Sequence, residues 1–147
     1  MHINYLNLPN PPDNLLESIE QILQKPKRQF QSGMATGYIG QFRSVEIDEP
    51  LRDWLKTIFN FKFNVQYQII QDDVLLHKDK RQYAFNYLLS TGGDNVKTSI
   101  YDDDKNLIES VTIQPKTWHS IETHYYHDVQ NIENGKVRVA LSVTPLI

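Results

Sequence analysis

His77, Lys78 and Asp79 follow an apolar run, Val74-Leu75-Leu76, that reads as the end of a β-strand. Alternate residues of a strand share one face, so the His77 imidazole and the Asp79 carboxylate stand side by side. A third ligand from a neighbouring strand would complete two histidines and one carboxylate on one face of a metal. That set leaves coordination positions open and favours non-haem Fe(II) oxygen chemistry. An H-x-D triplet alone is a weak signal, because chance supplies one easily. His119, His124 and His127 follow downstream, and each could provide the third ligand. A histidine in a strand is more often a satisfied polar residue than a ligand, so spacing alone leaves the choice among them open.

The last apolar stretch adds an anion site. Val137, Val139, Leu141 and Val143 form one face of a strand, suited to packing against helices. Arg138, Ala140, Ser142 and Thr144 form the other, small and polar apart from one guanidinium. A cation on the inner face of a barrel is costly unless an anion neutralises it. Arg138 lies eleven residues after His127, a hairpin length that brings the two side chains to neighbouring strands. Arginine holds a carboxylate with two parallel hydrogen bonds and stays charged at any working pH. A structural ion pair or a rim position is the plainer reading of the same residue.

Elements that could position these groups are visible along the chain. Residues 9–13 (PNPPD) read as a helix start, with Asp13 or Asn14 as N-cap. Leu15, Leu16, Ile19, Ile22 and Leu23 follow helical spacing until Pro26. A glycine-punctuated stretch leads into a strand near 38–47. A second helix is expected over 48–60, with Pro50 in its first turn and Leu51, Trp54, Leu55, Ile58 and Phe59 on one side. From Phe61 the period changes to two, with Phe61, Phe63, Val65, Tyr67 and Ile69 alternating with polar residues. Asp72-Asp73 reads as a turn before a strand over 74–79. Strands follow at 83–90, 96–101, 107–113, 118–123 and 136–144. Gly92-Gly93-Asp94-Asn95, Asp102-Asp103-Asp104 and Glu133-Asn134-Gly135 supply turns. Seven or eight short strands at this spacing indicate a sandwich or barrel rather than a βαβ fold.

Composition bounds the rest. A chain of 147 residues suits one domain, here helical support over 1–60 and a barrel core over 61–147. A hydrophobic fraction of 39%, with 2 Trp, 8 Tyr and 6 Phe, argues for a folded globule. Net charge is −3 with both signs interspersed, so nucleic acid is not favoured as a partner. The absence of cysteine excludes disulfides, Fe–S clusters and thiolate catalysis. The first residues lack a basic stretch before an apolar core, and no run approaches a membrane-spanning length. A soluble, cytoplasmic protein without a membrane partner is the expectation.

Three blocks together resemble the Fe(II)/2-oxoglutarate-dependent dioxygenases, and in particular their prolyl-hydroxylase-like group. They are residues 77–104 (HKDKRQYAFNYLLSTGGDNVKTSIYDDD), 118–131 (WHSIETHYYHDVQN) and 135–143 (GKVRVALSV). The resemblance covers about residues 60–145 and implies a double-stranded β-helix, a jelly-roll of cupin type with helices packed on one sheet. It implies His77, Asp79 and His127 as ligands of a catalytic Fe(II), with 2-oxoglutarate as co-substrate and ascorbate as an accessory reductant. Arg138 would pair with the far carboxylate of 2-oxoglutarate. Tyr87 sits where the group often places a supporting hydroxyl, although a core tyrosine bonded to a backbone carbonyl fits equally well. Arg81 could meet the prime substrate or simply be a solvated turn residue. The implied activity is hydroxylation of an unidentified substrate, such as a peptide or protein side chain. A cupin-like module that holds a metal or small molecule without turnover is the alternative.

Overall fold

The change to a period of two builds a ten-stranded antiparallel structure, described by a computed structural model for residues 1–29 and 40–146. In chain order the elements are β1 (Ile3–Leu6), α1 (Ile19–Gln24), β2 (Arg28–Gln29), β3 (Gly40–Val45), α2 (Glu49–Ile58) and β4 (Phe63–His77). Then come β5 (Tyr83–Thr91), β6 (Lys97–Tyr101), β7 (Leu107–Val111), β8 (Trp118–Glu122), β9 (Tyr126–Gln130) and β10 (Arg138–Pro145). The strand order is β1-β8-β5-β10-β4-β9-β6-β7, with β3 also paired to β4 and β2 to β3.

β4 is the element that makes this a barrel. Its first half pairs with β10 from Phe63 to Ile70, and its end pairs with β9 at Val74 and His77. One strand thus serves two facing sheets. The two ends of the strand order also approach each other, because the backbone N–H groups of His2 and Ile3 donate to the Glu109 carboxylate of β7 at 2.9 and 3.2 Å. The result is a nearly closed antiparallel barrel, one of the two forms the alternation and turn spacing indicate, with the jelly-roll topology that the resemblance implies.

Alternation along each strand divides apolar groups between two cores. Tyr67, Ile69, Val139, Leu141 and Val143 point away from the barrel interior and pack against Ile22, Leu51 and Leu55 of the helices. Trp118 and Phe59 complete that layer edge to face, with ring centroids 5.4 Å apart. The Trp118 indole N–H donates to Pro9 O at 3.0 Å and ties the N-terminal segment to the sheet. Inside the barrel, Ala84, Leu88, Ile100, Ile121 and Ala140 form a second cluster.

Several expectations need correction. The helix expected from Asp13 to Pro26 is only α1, while Leu15 and Leu16 donate backbone hydrogen bonds to Pro12 O in a separate turn. Ser18 accepts from the Gln21 N–H, and the Gln21 side chain accepts from the Ser18 N–H. That capping box starts the helix four to five residues late, yet Leu15 and Leu16 still pack on the core. Asp72-Asp73 is no turn, since β4 runs through it. Asp72 Oδ1 accepts from the Asp73 N–H, and Asp73 Oδ1 accepts from the Ile132 N–H, so the two carboxylates bind backbone where the strand passes between sheets. The N-terminal part also holds two strands that the sequence reading did not include, β1 and β2. The strand near 38–47 is seen as β3, and residues 38 and 39 fall outside the described residues. Asp102 caps the β6–β7 turn as expected, its Oδ1 accepting from the Asp104 and Asn106 N–H groups.

Candidate metal and anion site

His77 and His127 are direct partners across the antiparallel β4–β9 pair, with ring centroids 4.2 Å apart. Asp79 lies just past the end of β4, where its backbone N–H donates to Thr123 O at 2.9 Å. One ligand atom from each of the three residues lies within 4.8 Å of the others. No other group of three or more such side chains converges in this way among the described residues.

The hydrogen bonds behind the rings fix what they present. His77 Nδ1 lies 2.7 Å from Leu75 O, and His127 Nδ1 lies 2.8 Å from Tyr125 O. A carbonyl can only accept, so each Nδ1 donates its proton to that oxygen and each ring turns Nε2 inward. These atoms stand 3.3 and 3.8 Å from the two carboxylate oxygens of Asp79. The His77 contact lacks hydrogen-bond geometry, which leaves Asp79 Oδ1 buried with no hydrogen-bond partner among the described residues. Burial, and His77 beside it, push the His127 imidazole down to about 4, so that ring is neutral at ordinary pH. Two inward-facing imidazole nitrogens and a carboxylate, one of whose oxygens has no hydrogen-bond partner among the described residues, converge on one point. The donor set therefore fits a divalent metal of the kind that accepts two imidazoles and one carboxylate.

The cavity in front of this cluster has a volume of about 90 Å³. Arg138 lines it from β10 and is only 6% exposed. Its guanidinium donates to Thr91 O and Thr98 Oγ1, both at 3.2 Å. Among the described residues no carboxylate pairs with it. Burial pushes its pKa down to about 10, which still leaves it charged near neutrality. A buried guanidinium with neutral partners alone suits an anionic ligand.

The remaining sequence candidates divide. His119 lines the cavity but stands outside the three-residue cluster, and His124 is exposed with Nδ1 3.2 Å from Gln82 O. Arg81 is half-buried at the cavity and donates to Thr144 Oγ1 at 3.0 Å, so it is no solvated turn residue. Tyr87 is on the wrong face to reach the cavity. On β5 the inward residues are Ala84, Asn86 and Leu88, while Tyr87 packs on Trp118 in the helix-covered core, ring centroids 5.4 Å apart. Sequence reasoning passed over Thr98 and Asn86, and strand parity with Arg138's partners and with Ala84 was the available signal.

No protein-family model matches the sequence, and no curated protein matches it. Solved structures do resemble the fold. The "Oxidoreductase, 2OG-Fe(II) oxygenase family, from Burkholderia pseudomallei" superposes with a TM-score of 0.51 at 10% identity, over 85% of this chain and 74% of that one. An oxalate decarboxylase superposes with a TM-score of 0.50 at 12% identity, over 90% of this chain. The chain spans 33% of the length of that decarboxylase. At these identities the likeness is one of fold. Fold and site define a cupin-type jelly-roll barrel with a candidate His-Asp-His metal centre. Among the described residues no helix is long and apolar enough to cross a membrane.

Proposed function

We propose that the chain is an Fe(II)- and 2-oxoglutarate-dependent oxygenase of the hydroxylase type. The observation that carries this reading is the shared cavity, with a two-histidine, one-carboxylate cluster and a buried arginine that, among the described residues, no carboxylate neutralises. His77, Asp79 and His127 would hold the iron, whose redox chemistry with oxygen and the 2-oxo acid supplies the oxidising power. The chain supplies position and surroundings. Leu75 O and Tyr125 O orient the imidazoles, and Thr123 O holds the Asp79 backbone. Arg138, set by Thr91 and Thr98, offers its remaining N–H groups to a carboxylate. Ile70, Val74 and Val129 provide apolar walls that limit water and strengthen that charge pairing. The likeness to an oxygenase-family barrel supports the fold this chemistry uses.

The test is oxygen-dependent decarboxylation of 2-oxoglutarate by the Fe(II)-loaded protein with ascorbate, without a prime substrate. The reading expects carbon dioxide and succinate above the no-protein background, lost in Asp79→Ala. Metal binding with no decarboxylation in either protein would favour a cupin-like binding module instead.

A further inference from the structure

Ser142 on β10, Asn86 on β5 and His119 on β8 lie opposite one another on successive strands, Ser142 across from Asn86 and Asn86 across from His119. Ser142 Oγ, Asn86 Oδ1 and His119 Nδ1 are all buried without a hydrogen-bond partner among the described residues. His119 is 3% exposed and Ser142 2%. His119 and Asn86 line the cavity, and Ser142 has the strand parity of Arg138, Ala140 and Thr144, which line it as well. Neighbouring strands lie about 4.8 Å apart, so the row spans roughly 10 Å. Orphaned buried polar atoms cost stability and are rare in native proteins. Three in one row, two of them on residues that line the cavity and the third on the same face of β10 as its lining residues, mark a place kept for an occupant.

The chemistry of the row defines that occupant. Burial, with Arg138 nearby, pushes the His119 imidazole down to about 4, so at neutral pH the ring offers one N–H and one lone pair. A hydroxyl, a carboxamide and a neutral imidazole both donate and accept, and none carries charge. The Arg138 guanidinium disfavours a cation beside them. The end of one protein side chain cannot meet groups spread over three strands, whereas a small molecule with several polar groups can. We propose that the Ser142–Asn86–His119 row is a binding subsite for hydroxyl and carboxamide groups of a small neutral molecule drawn wholly into the barrel. The inference rests on the oxygenase reading only in taking that molecule to be the one oxidised beside His77, Asp79 and His127.

The test uses the full chain labelled with ¹⁵N-histidine and titrated with lactamide and malonamide, each carrying such groups a few bonds apart. N-acetyl-Gly-Asn-Gly-amide serves as the peptide comparison. The His119 ring nitrogens should shift saturably with the small probes. Asn86→Leu and Ser142→Ala should each weaken probe binding roughly three- to tenfold, the scale of one lost hydrogen bond. Their melting midpoints should stay the same or rise, because each removes an unsatisfied atom. Mn(II) binding is measured in parallel on every protein. Its absence from the wild type counts against the oxygenase reading, while absent probe binding beside intact Mn(II) binding counts against the row alone. Three results overturn the row: no saturable shift at His119, as for a row holding ordered water only; lowered midpoints in both variants; or tighter binding of the peptide than of lactamide.

Discussion

Asp79 Oδ1 lies 3.3 Å from His77 Nε2, the oxygen of a half-buried carboxylate beside a ring whose Nδ1 donates to Leu75 O. The Leu75 and Thr123 carbonyls hold the two groups in place, and Asp79 Oδ1 has no hydrogen-bond partner there among the described residues. Asp79→Asn should therefore abolish divalent-metal binding while leaving the metal-free chain as stable as wild type or more so, by up to about 1–2 kcal/mol. Urea unfolding in the presence of a chelator checks this. Strong destabilisation would mean that Asp79 serves the fold rather than a metal.

Arg138 governs the second half of the site. A guanidinium pairing bidentately with a carboxylate in a low-dielectric cavity contributes about 2–4 kcal/mol. Arg138→Ala should then weaken 2-oxoglutarate binding by roughly 30- to 1000-fold. Arg138→Lys should fall between the two, keeping the charge but losing the fork. Anaerobic calorimetric titration of the Mn(II) form measures both, and Mn(II) affinity itself should not change.

His119 gives the chain a pH dependence of stability with a definite sign. Burial, then Arg138, lower its pKa to about 4, against an unfolded value of 6.5. Between those values the unfolded chain binds more protons, so stability falls as pH drops from about 6.5 to about 4 and levels off below. The full effect of one such group is on the order of 3 kcal/mol. His119→Gln should flatten the slope of unfolding free energy against pH in metal-free protein. An unchanged slope would contradict the burial argument.

Leu141 links the barrel to its helical cover. It is fully buried, and its apolar cluster includes Ile22 and Leu55 from the two helices. Leu141→Ala should cost about 2–5 kcal/mol in chemical denaturation. A loss under 1 kcal/mol would mean that the helices do not share a packed core with β10.

How much of this was legible in the sequence follows from how local each signal is. The β10 pattern could be read residue by residue, because its two faces differ sharply: Val139, Leu141 and Val143 under the helices, Arg138 in the cavity. The H-x-D pair was equally local. β9 was harder to see, since Tyr126–Gln130 alternates poorly, and its role depends on pairing with His77 fifty residues away. β1 lies at the edge beside β8 and holds no chemistry of its own. The error at Tyr87 came from placing a residue by motif position. Parity with Phe85 puts it among the aromatics on the helix side, and only the pairing of β5 with β8 brings it onto Trp118. The polar row of Ser142, Asn86 and His119 is long-range in the same way, built from three strands that meet only in the fold.

Mn(II) titration followed by electron paramagnetic resonance tests the central claim most directly. Wild-type protein should bind one Mn(II) per chain, and His77→Ala, Asp79→Ala and His127→Ala should each lose that binding while remaining folded. His124→Ala and His119→Ala should retain it. Full Mn(II) binding by His127→Ala, with loss in His119→Ala or His124→Ala, would contradict the site described here.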